Sequence, residues 1–293
     1  MSTSALLRKI KLQEAATEQK IINFYDEATE DYLYWSKSHN MHFGYYIPFK
    51  NTFLKRDTMI NEMNKQVFKR LSFSKKNSLI IDLGCGIGGT MNYGLLKYPY
   101  TSIVGATLSQ RQVELGNQFL KDKNGVIIEA DFRDLPIKSS SSDGAYAIES
   151  FCHVGHSNAA LAEAYRILKP GASLVIADAF LRKEPEELCS VSYYCYEQLC
   201  KGWSVQGLRS IYDLKNALYK TGFSEVKIEN ISWKVAPSVL HVPFAILGFI
   251  LKKLIKKENI KSQSWSNLKG SLFALLSGLH FTDFGYYIIT AKK

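Results

Sequence analysis

The chain has 293 residues, a hydrophobic content of 46% and a formal net charge of +10 at neutral pH, enough for one large domain with insertions and a full core. Its five cysteines (Cys85, Cys152, Cys189, Cys195, Cys200) form no C-x-x-C pair and have no metal spacing, which sets aside a disulfide scaffold and a thiolate metal centre in favour of reduced thiols. The positive charge leaves three readings open: nucleic acid, an anionic membrane surface, or solubility alone; no RNA-binding motif is visible and the lysines are dispersed, which argues against the first.

The first twenty residues, MSTSALLRKIKLQEAATEQK, lack the apolar run of a signal peptide and carry acids, so a cytoplasmic protein is expected. Apolar residues spaced at three and four predict a helix over 10–35, with Tyr25 inside it. Residues 38–46 form a loop dense in rings: His39, His42, Phe43, Tyr45 and Tyr46. Such a loop suits a flap over a pocket, or equally a segment packed on the fold. A further helix is expected over 57–71.

Residues 79–90, LIIDLGCGIGGT, organise the rest. Leu79, Ile80, Ile81, Asp82 and Leu83 read as a short buried parallel strand, and Gly84, Cys85, Gly86, Ile87, Gly88 and Gly89 as a turn that tolerates positive φ and lets a ligand reach the backbone. A helix opens at Thr90 and Met91. This predicts the first unit of a doubly wound α/β sheet, with its ligand at the carboxyl ends of the strands. The glycines satisfy G-x-G-x-x-G, a weak signal alone. Asp82 stands two residues before the first glycine, where it repels a pyrophosphate but can hold an ammonium. The second strand, 102–106, runs into Thr107 without the acid that a dinucleotide needs. The loop therefore favours a cofactor that carries a cationic amino acid.

The alternation then continues. Thr107, Leu108 and Ser109 lead into a helix to about residue 121, with Thr107 or Ser109 as its cap. Gly125–Glu129 is the third strand. It ends at Asp131 and Phe132, an acid able to accept from an adenine amino group beside a ring able to cover the base. The fourth strand, 144–148, delivers Glu149 and His153 to the same edge. A helix over 158–168, a turn at Lys169-Pro170-Gly171 and a fifth strand over 172–177 follow. Residues 180–210 show no clear period but hold Tyr193, Tyr194, Tyr196 and Trp203, which suits a substrate cap. A helix over 210–221 closed by Gly222, a strand over 225–231 and a last strand over 284–291 complete the pattern.

DLGCGIGG closely resembles the first motif of class I S-adenosylmethionine-dependent methyltransferases. FYDEATEDYLYW with NMHFGYY, TLSQRQ, ESFCHV and LKPGASLVIAD resemble the sterol, tocopherol and cyclopropane-fatty-acid group among them. The resemblance covers roughly residues 24–231. It implies a seven-stranded, mostly parallel sheet with the final strand antiparallel. An N-terminal helical flap (1–75), a cofactor-binding core (76–231 and 284–293) and a helical cap insertion (232–283) are expected. It implies S-adenosyl-L-methionine as cofactor, held by Asp82, Gly84, Cys85, Gly86, Gly88, Leu108, Asp131, Phe132 and Glu149. Thr107 and Gln112 take the ribose contacts, and Tyr25, His42 and Tyr45 line the cofactor–substrate boundary.

Methyl transfer from such a cofactor requires alignment, exclusion of water and a group to take a proton; no metal is expected. Glu149 is the candidate for orienting cofactor or substrate and His153 for the base, with a cap of the next helix or a pairing with lysine as the plainer role for either. His153 is expected to change protonation between pH 5 and 8. The acceptor expected is small and hydrophobic (isoprenoid, sterol-like or polyketide-like) and methylated at carbon or oxygen. The alternatives are a phenolic O-methyltransferase and a non-catalytic, cofactor-binding subunit. A nucleic-acid acceptor rests on charge alone, and no N/D-P-P-Y string supports it.

Within the insertion, residues 239–251 are almost wholly apolar, too short a run to span a bilayer, which needs about 20 residues. Phe244, Leu247, Ile250, Leu251, Leu254 and Ile255 share a helical face, and Lys252, Lys253, Lys256 and Lys257 follow on the other side. Either the cap is buried on the sheet with its lysines in solvent, or it forms the mouth of an apolar pocket resting on anionic lipid.

Overall fold

The computed structural model describes Ile22, Asp26, Thr29 and Ser36, and from Ser38 onward every residue except Phe53, Lys75, Gln206, Glu258, Ile260, Lys261, His280 and Phe281. Tyr25 and most of the helix expected over 10–35 lie outside the described residues.

Seven strands make one sheet: β1 Ser78–Leu83, β2 Thr101–Thr107, β3 Gly125–Glu129, β4 Ser142–Ile148, β5 Leu168–Leu181, β6 Ser224–Asn230 and β7 Phe284–Lys292. Their order is β3-β2-β1-β4-β5-β7-β6. The pairings of β1 through β5 with one another are parallel, while β7 runs antiparallel between β5 and β6. The chain builds outward from β1 to β3, then returns to place β4 on the other side of β1. That reversal leaves a crevice at the carboxyl ends of β1 and β4.

Period-two alternation explains why both faces are covered. Ile81 and Leu83 enter one core, with Ala160, Leu161 and Ile167 of α4 (Ala159–Ile167) and Leu214 and Leu218 of α6 (Ile211–Thr221). Ile80 enters the other, with Met63, Val67 and Phe68 of α1 (Arg56–Arg70) and Met91 and Leu95 of α2 (Gly89–Lys97). Helix α3 (Gln110–Phe119) is capped by Ser109, whose hydroxyl accepts from the Gln112 amide at 3.1 Å. Ser210 caps α6 in the same way, and Gly222, at φ +108°, ends it.

Two sequence expectations change. The fifth strand begins at Leu168, before the expected turn, because Leu168 already pairs with Ser142, and it runs on to Leu181 because β7 pairs with it from Ser173 to Leu181. The segment without a clear period contains a helix, α5 (Ser190–Gly202), against α9 (Ser262–Leu279). The two cross closely: a Cβ on Gly202 would lie 2.5 Å from the Gly270 Cα.

Between β6 and β7 stand α7 (Ser232–Val239), α8 (Val242–Ile255) and α9. The short apolar run understated this element. Ser232–Ile255 is a helical stretch of 24 residues, long and apolar enough by composition to cross a bilayer, and 22% of its apolar window is buried. It is nonetheless tied to the domain. The Tyr46 amide donates to the Lys234 carbonyl at 2.7 Å, the Gly44 amide to the Ser238 hydroxyl at 2.8 Å, and the Tyr286 amide to the Ser232 hydroxyl at 3.0 Å.

Candidate active site

The crevice at the strand ends opens into a cleft of about 290 Å³. The sheet order arranges its floor: Phe132 follows β3, Thr107 ends β2, Asp82 and the glycine turn end β1, Glu149 follows β4, Asp178 lies in β5, and Tyr286 opens β7.

In the glycine turn, Gly84, Gly86 and Gly88 have φ of +89°, +55° and +83°, backbone that other residues rarely adopt. Gly84 and Gly86 line the cleft with Cys85; Gly88 faces the core, where a Cβ would meet Leu120 and Ile127. Gly89 also faces the cleft, and a Cβ there would lie 2.5 Å from the His39 carbonyl oxygen. The turn is thus bare where the aromatic loop crosses it. Asp82 is buried beneath it, and burial pushes its carboxyl up to about 7 against the opposing influence of the Tyr146 phenol.

At the next strand the Thr107 hydroxyl donates to the Gln112 side-chain oxygen at 2.6 Å. The Gln112 amide reaches the Thr29 hydroxyl at 3.3 Å, and the Ser109 hydroxyl donates to the Asp26 carboxylate, so this corner is tied to the N-terminal segment. Thr107, Leu108, Gln112 and Phe132 line the cleft, and the Phe132 ring stacks on Phe151 at 5.9 Å. Asp131 does not line it: its carboxylate is bound by the Arg133 guanidinium, with Nε at 2.6 Å.

The aromatic loop does fold over the cleft, through His39 to Phe43. His42 lines it but is fully engaged. Its Nδ1 is 2.9 Å from the Phe43 carbonyl and its Nε2 is 2.9 Å from Asn64 of α1, whose amide in turn donates to Asn40 at 3.0 Å. Burial lowers the His42 pKa against the opposing pull of the Phe43 and Asn64 oxygens, and the ring braces the loop. Tyr45 is not brought to the cleft. It packs with the α1 side of the core and feels the charges of Arg70 and Glu229. Met41, which sequence reasoning passed over, lies over the turn, its Sδ 3.1 Å from a Cβ built on Gly86.

Beyond the turn the cleft becomes acidic, then apolar. Glu149 has φ +52°, a strained value for a residue with a side chain. One carboxylate oxygen accepts from the Phe43 amide and from the Tyr286 hydroxyl, both at 2.7 Å. Burial pushes its pKa up to about 8, against those two donors. Asp178, in β5, accepts from the Cys152 amide at 3.0 Å and the Ala179 amide at 2.8 Å, and burial pushes it up to about 7. His153 lines the same region, but burial pushes it down to about 4, so it is neutral and weakly basic throughout the range where titration was expected. Asp178 and Tyr286 were missed. Asp178 carries the signal that singled out Glu149, an acid at the carboxyl end of a strand; Tyr286 gives none, because only the β5–β7 register places it beside Ala179. Leu199, Trp203, Leu208, Val242, Ile246 and Phe249 form the apolar wall.

A seven-stranded sheet with its last strand antiparallel, a glycine turn after β1 and a buried acid beneath that turn define a methyl-transfer fold. Residues 81–176 match the family described as "Methyltransferase domain". The chain is 34% identical over 176 residues to the O-methyltransferase rstn1 of Aspergillus nomiae, covering 58% of this chain and 74% of that protein. It is 28% identical over 232 residues to 24-methylenesterol C-methyltransferase 2 of Arabidopsis thaliana, covering 75% of this chain and 61% of that one. It thus spans about three fifths of the length of the sterol methyltransferases that it matches. The cyclopropane synthase MmaA2 of Mycobacterium tuberculosis shares the fold, with a TM-score of 0.78 at 15% identity over 94% of this chain and 98% of that one. The chain belongs to the class I S-adenosylmethionine-dependent methyltransferases.

Proposed function

We propose that this protein transfers the methyl group of S-adenosylmethionine to carbon or oxygen of a small hydrophobic acceptor. The observation that carries the reading is the gradient along the cleft. It runs from a glycine turn over a buried acid, through the carboxyls of Glu149 and Asp178, to an apolar wall from α5, α8 and α9; none of the described lining residues is Lys or Arg. The two kinds of relative, a sterol C-methyltransferase and an O-methyltransferase, support carbon or oxygen as the acceptor atom.

The residues present fit the cofactor. The turn leaves room at Gly86, Asp82 offers a carboxylate to an ammonium, the Thr107–Gln112 pair offers hydroxyl and amide to a ribose, and Phe132 a ring face to a base. Bound there, the sulfonium supplies an electrophilic methyl. Glu149, fixed by Phe43 and Tyr286, orients the reacting end and becomes a carboxylate when a cation is beside it. That carboxylate and Asp178 are the groups able to take a proton near neutral pH; His153 is too weak a base for that role. The aromatic loop and the cap exclude water. We also propose the division into flap, core and cap at residues 1–75, 76–231 with 284–293, and 232–283. A cytoplasmic location with peripheral attachment to anionic membrane is part of the same proposal.

The test is incubation of the purified chain with methyl-labelled cofactor and separate neutral-lipid, phenolic and RNA extracts. Label is expected in the neutral-lipid extract. Label confined to the phenols transfers the reading to a phenolic O-methyltransferase, and label in RNA overturns it.

A further inference from the structure

Helix α8 carries two apolar stripes. Val242, Ile246 and Phe249, at helical spacing, line the cleft. Phe244, Leu247, Leu251 and Leu254 run along the opposite side and point away from the fold, with Phe244 74% and Leu254 65% exposed. Trp233, 73% exposed on α7, and Ile255, 81% exposed, extend this outer stripe at its two ends, and Leu240 in the turn between the helices is exposed as well. The sequence left this face either buried on the sheet or resting on lipid at the mouth of a pocket; the structure turns Phe244, Leu247, Leu251, Leu254 and Ile255 outward. A soluble cap helix presents polar residues on its outer side, and a contiguous exposed ridge of this kind marks a partner.

The charges around the ridge specify which partner. Lys252, Lys253, Lys256 and Lys257 cluster at its C-terminal end, with Lys234 at the other, and no acid occurs from Ser232 to Lys257. Lys253 lies over the ring of Phe249, a residue of the inner stripe, at 5.7 Å. The clustered lysines, at helical spacing, thus stand on the side of the helix opposite the apolar ridge, as on the polar face of an interfacial helix. Apolar side chains in a row with a cluster of lysines fit the headgroup boundary of an anionic bilayer, where the rings and aliphatic groups enter and the ammonium groups meet phosphate. The length of Ser232–Ile255 also permits a span, but the bonds from Gly44, Tyr46 and Tyr286 hold α7 to the domain.

We infer that the outer ridge of α7 and α8 docks in the plane of an anionic membrane, so that one helix has lipid on its outer side and the acceptor cleft on its inner side. The docking stands on the ridge and its lysines; that an apolar acceptor passes from bilayer to cleft around α8 rests on the acceptor reading above.

The full chain is mixed with phosphatidylcholine vesicles, with and without phosphatidylserine, and insertion is read by quenching of tryptophan fluorescence with brominated lipid, using Trp233→Phe to assign the signal. The wild type is expected to sediment with the anionic vesicles, be released by high salt, and show quenching that Trp233→Phe removes. Phe244→Ser/Leu247→Ser/Leu251→Ser, all at exposed positions, should abolish the quenching and leave a weak, salt-sensitive adsorption. Glutamine at the four clustered lysines should weaken binding roughly 100- to 1,000-fold at low salt. Both variants should bind S-adenosylhomocysteine as the wild type does; failure of all forms to bind it counts against the cofactor reading and leaves the docking measurement intact. A wild type that stays in the supernatant with anionic vesicles overturns the inference. So does a protein that resists alkaline extraction as a spanning helix would, or a dimer that the serine variant dissociates.

Discussion

Glu149 concentrates the chemistry of the cleft in one side chain. Glutamine there keeps an oxygen for the Phe43 and Tyr286 donors and removes the charge. Turnover should fall about 10²- to 10⁴-fold. The same variant tests the electrostatics. Below pH 4.5 the carboxyl is protonated both folded and unfolded; between 4.5 and about 8 the unfolded chain releases a proton that the folded one keeps. The wild type therefore loses stability as pH rises through that window, as Asp82 and Asp178 also dictate. Glu149→Gln should match the wild type in thermal melts at pH 4 and exceed it at pH 8.5; equal melts at both would remove the buried-charge argument. His153→Asn should leave the shape of the pH–rate profile between 5 and 8 unchanged, since a group pushed down to about 4 has no limb there. Asp82 and Glu149 were legible because an acid at the end of a parallel strand is a strong local signal. The neutrality of His153 was not, because it comes from burial by elements distant in sequence.

The aromatic loop and the glycine turn act as one element through close approach. Alanine at Gly89 would set its Cβ 2.5 Å from the His39 carbonyl, a backbone atom that cannot rotate aside. Gly89→Ala should fold, since alanine favours the helix it opens, yet bind S-adenosylhomocysteine at least about tenfold more weakly, a loss of about 1.4 kcal/mol. Calorimetry with unchanged affinity would show that the loop does not cover the cofactor. Asn64→Ala should cost about 1–3 kcal/mol of stability, since it strips a partner from His42 and Asn40 in a buried place. The helices and strands were legible wherever their period was uniform. The direction of the apolar face of helix α8 stayed open in the sequence because both its sides are apolar, and a periodic pattern cannot tell an inner stripe from an outer one.

For the whole molecule, the order of strands sets the order of chemistry along the cleft. Two buried carboxyls, Asp82 and Asp178, and the half-buried Glu149 face a region whose described lining holds no Lys or Arg. A cationic cofactor should therefore displace protons. Calorimetry of S-adenosylmethionine binding at pH 7 in buffers of different ionisation enthalpy should report proton release, and affinity should rise from pH 6 to 8.5. Affinity that falls over that range would contradict the charge assignment. The parallel half of the sheet was legible because β1, β2, β4 and β5 are each followed by a helix and β3 by a polar turn. The corner formed by Glu149, Asp178 and Tyr286 was not, because it joins parts of the chain 137 residues apart.

That corner has a consequence for how the protein is made. β7 leaves the ribosome after the other six strands of the sheet, yet it sits inside that sheet, between β5 and β6. Until it emerges, the edge of β5 from Ser173 to Leu181, an almost wholly apolar row, has no covering strand. A nascent chain in that state exposes a template for pairing with its neighbours. Messages truncated before residue 284 should thus give insoluble product rather than a weakened enzyme, and synthesis should depend on chaperones that shield β5 until β7 arrives.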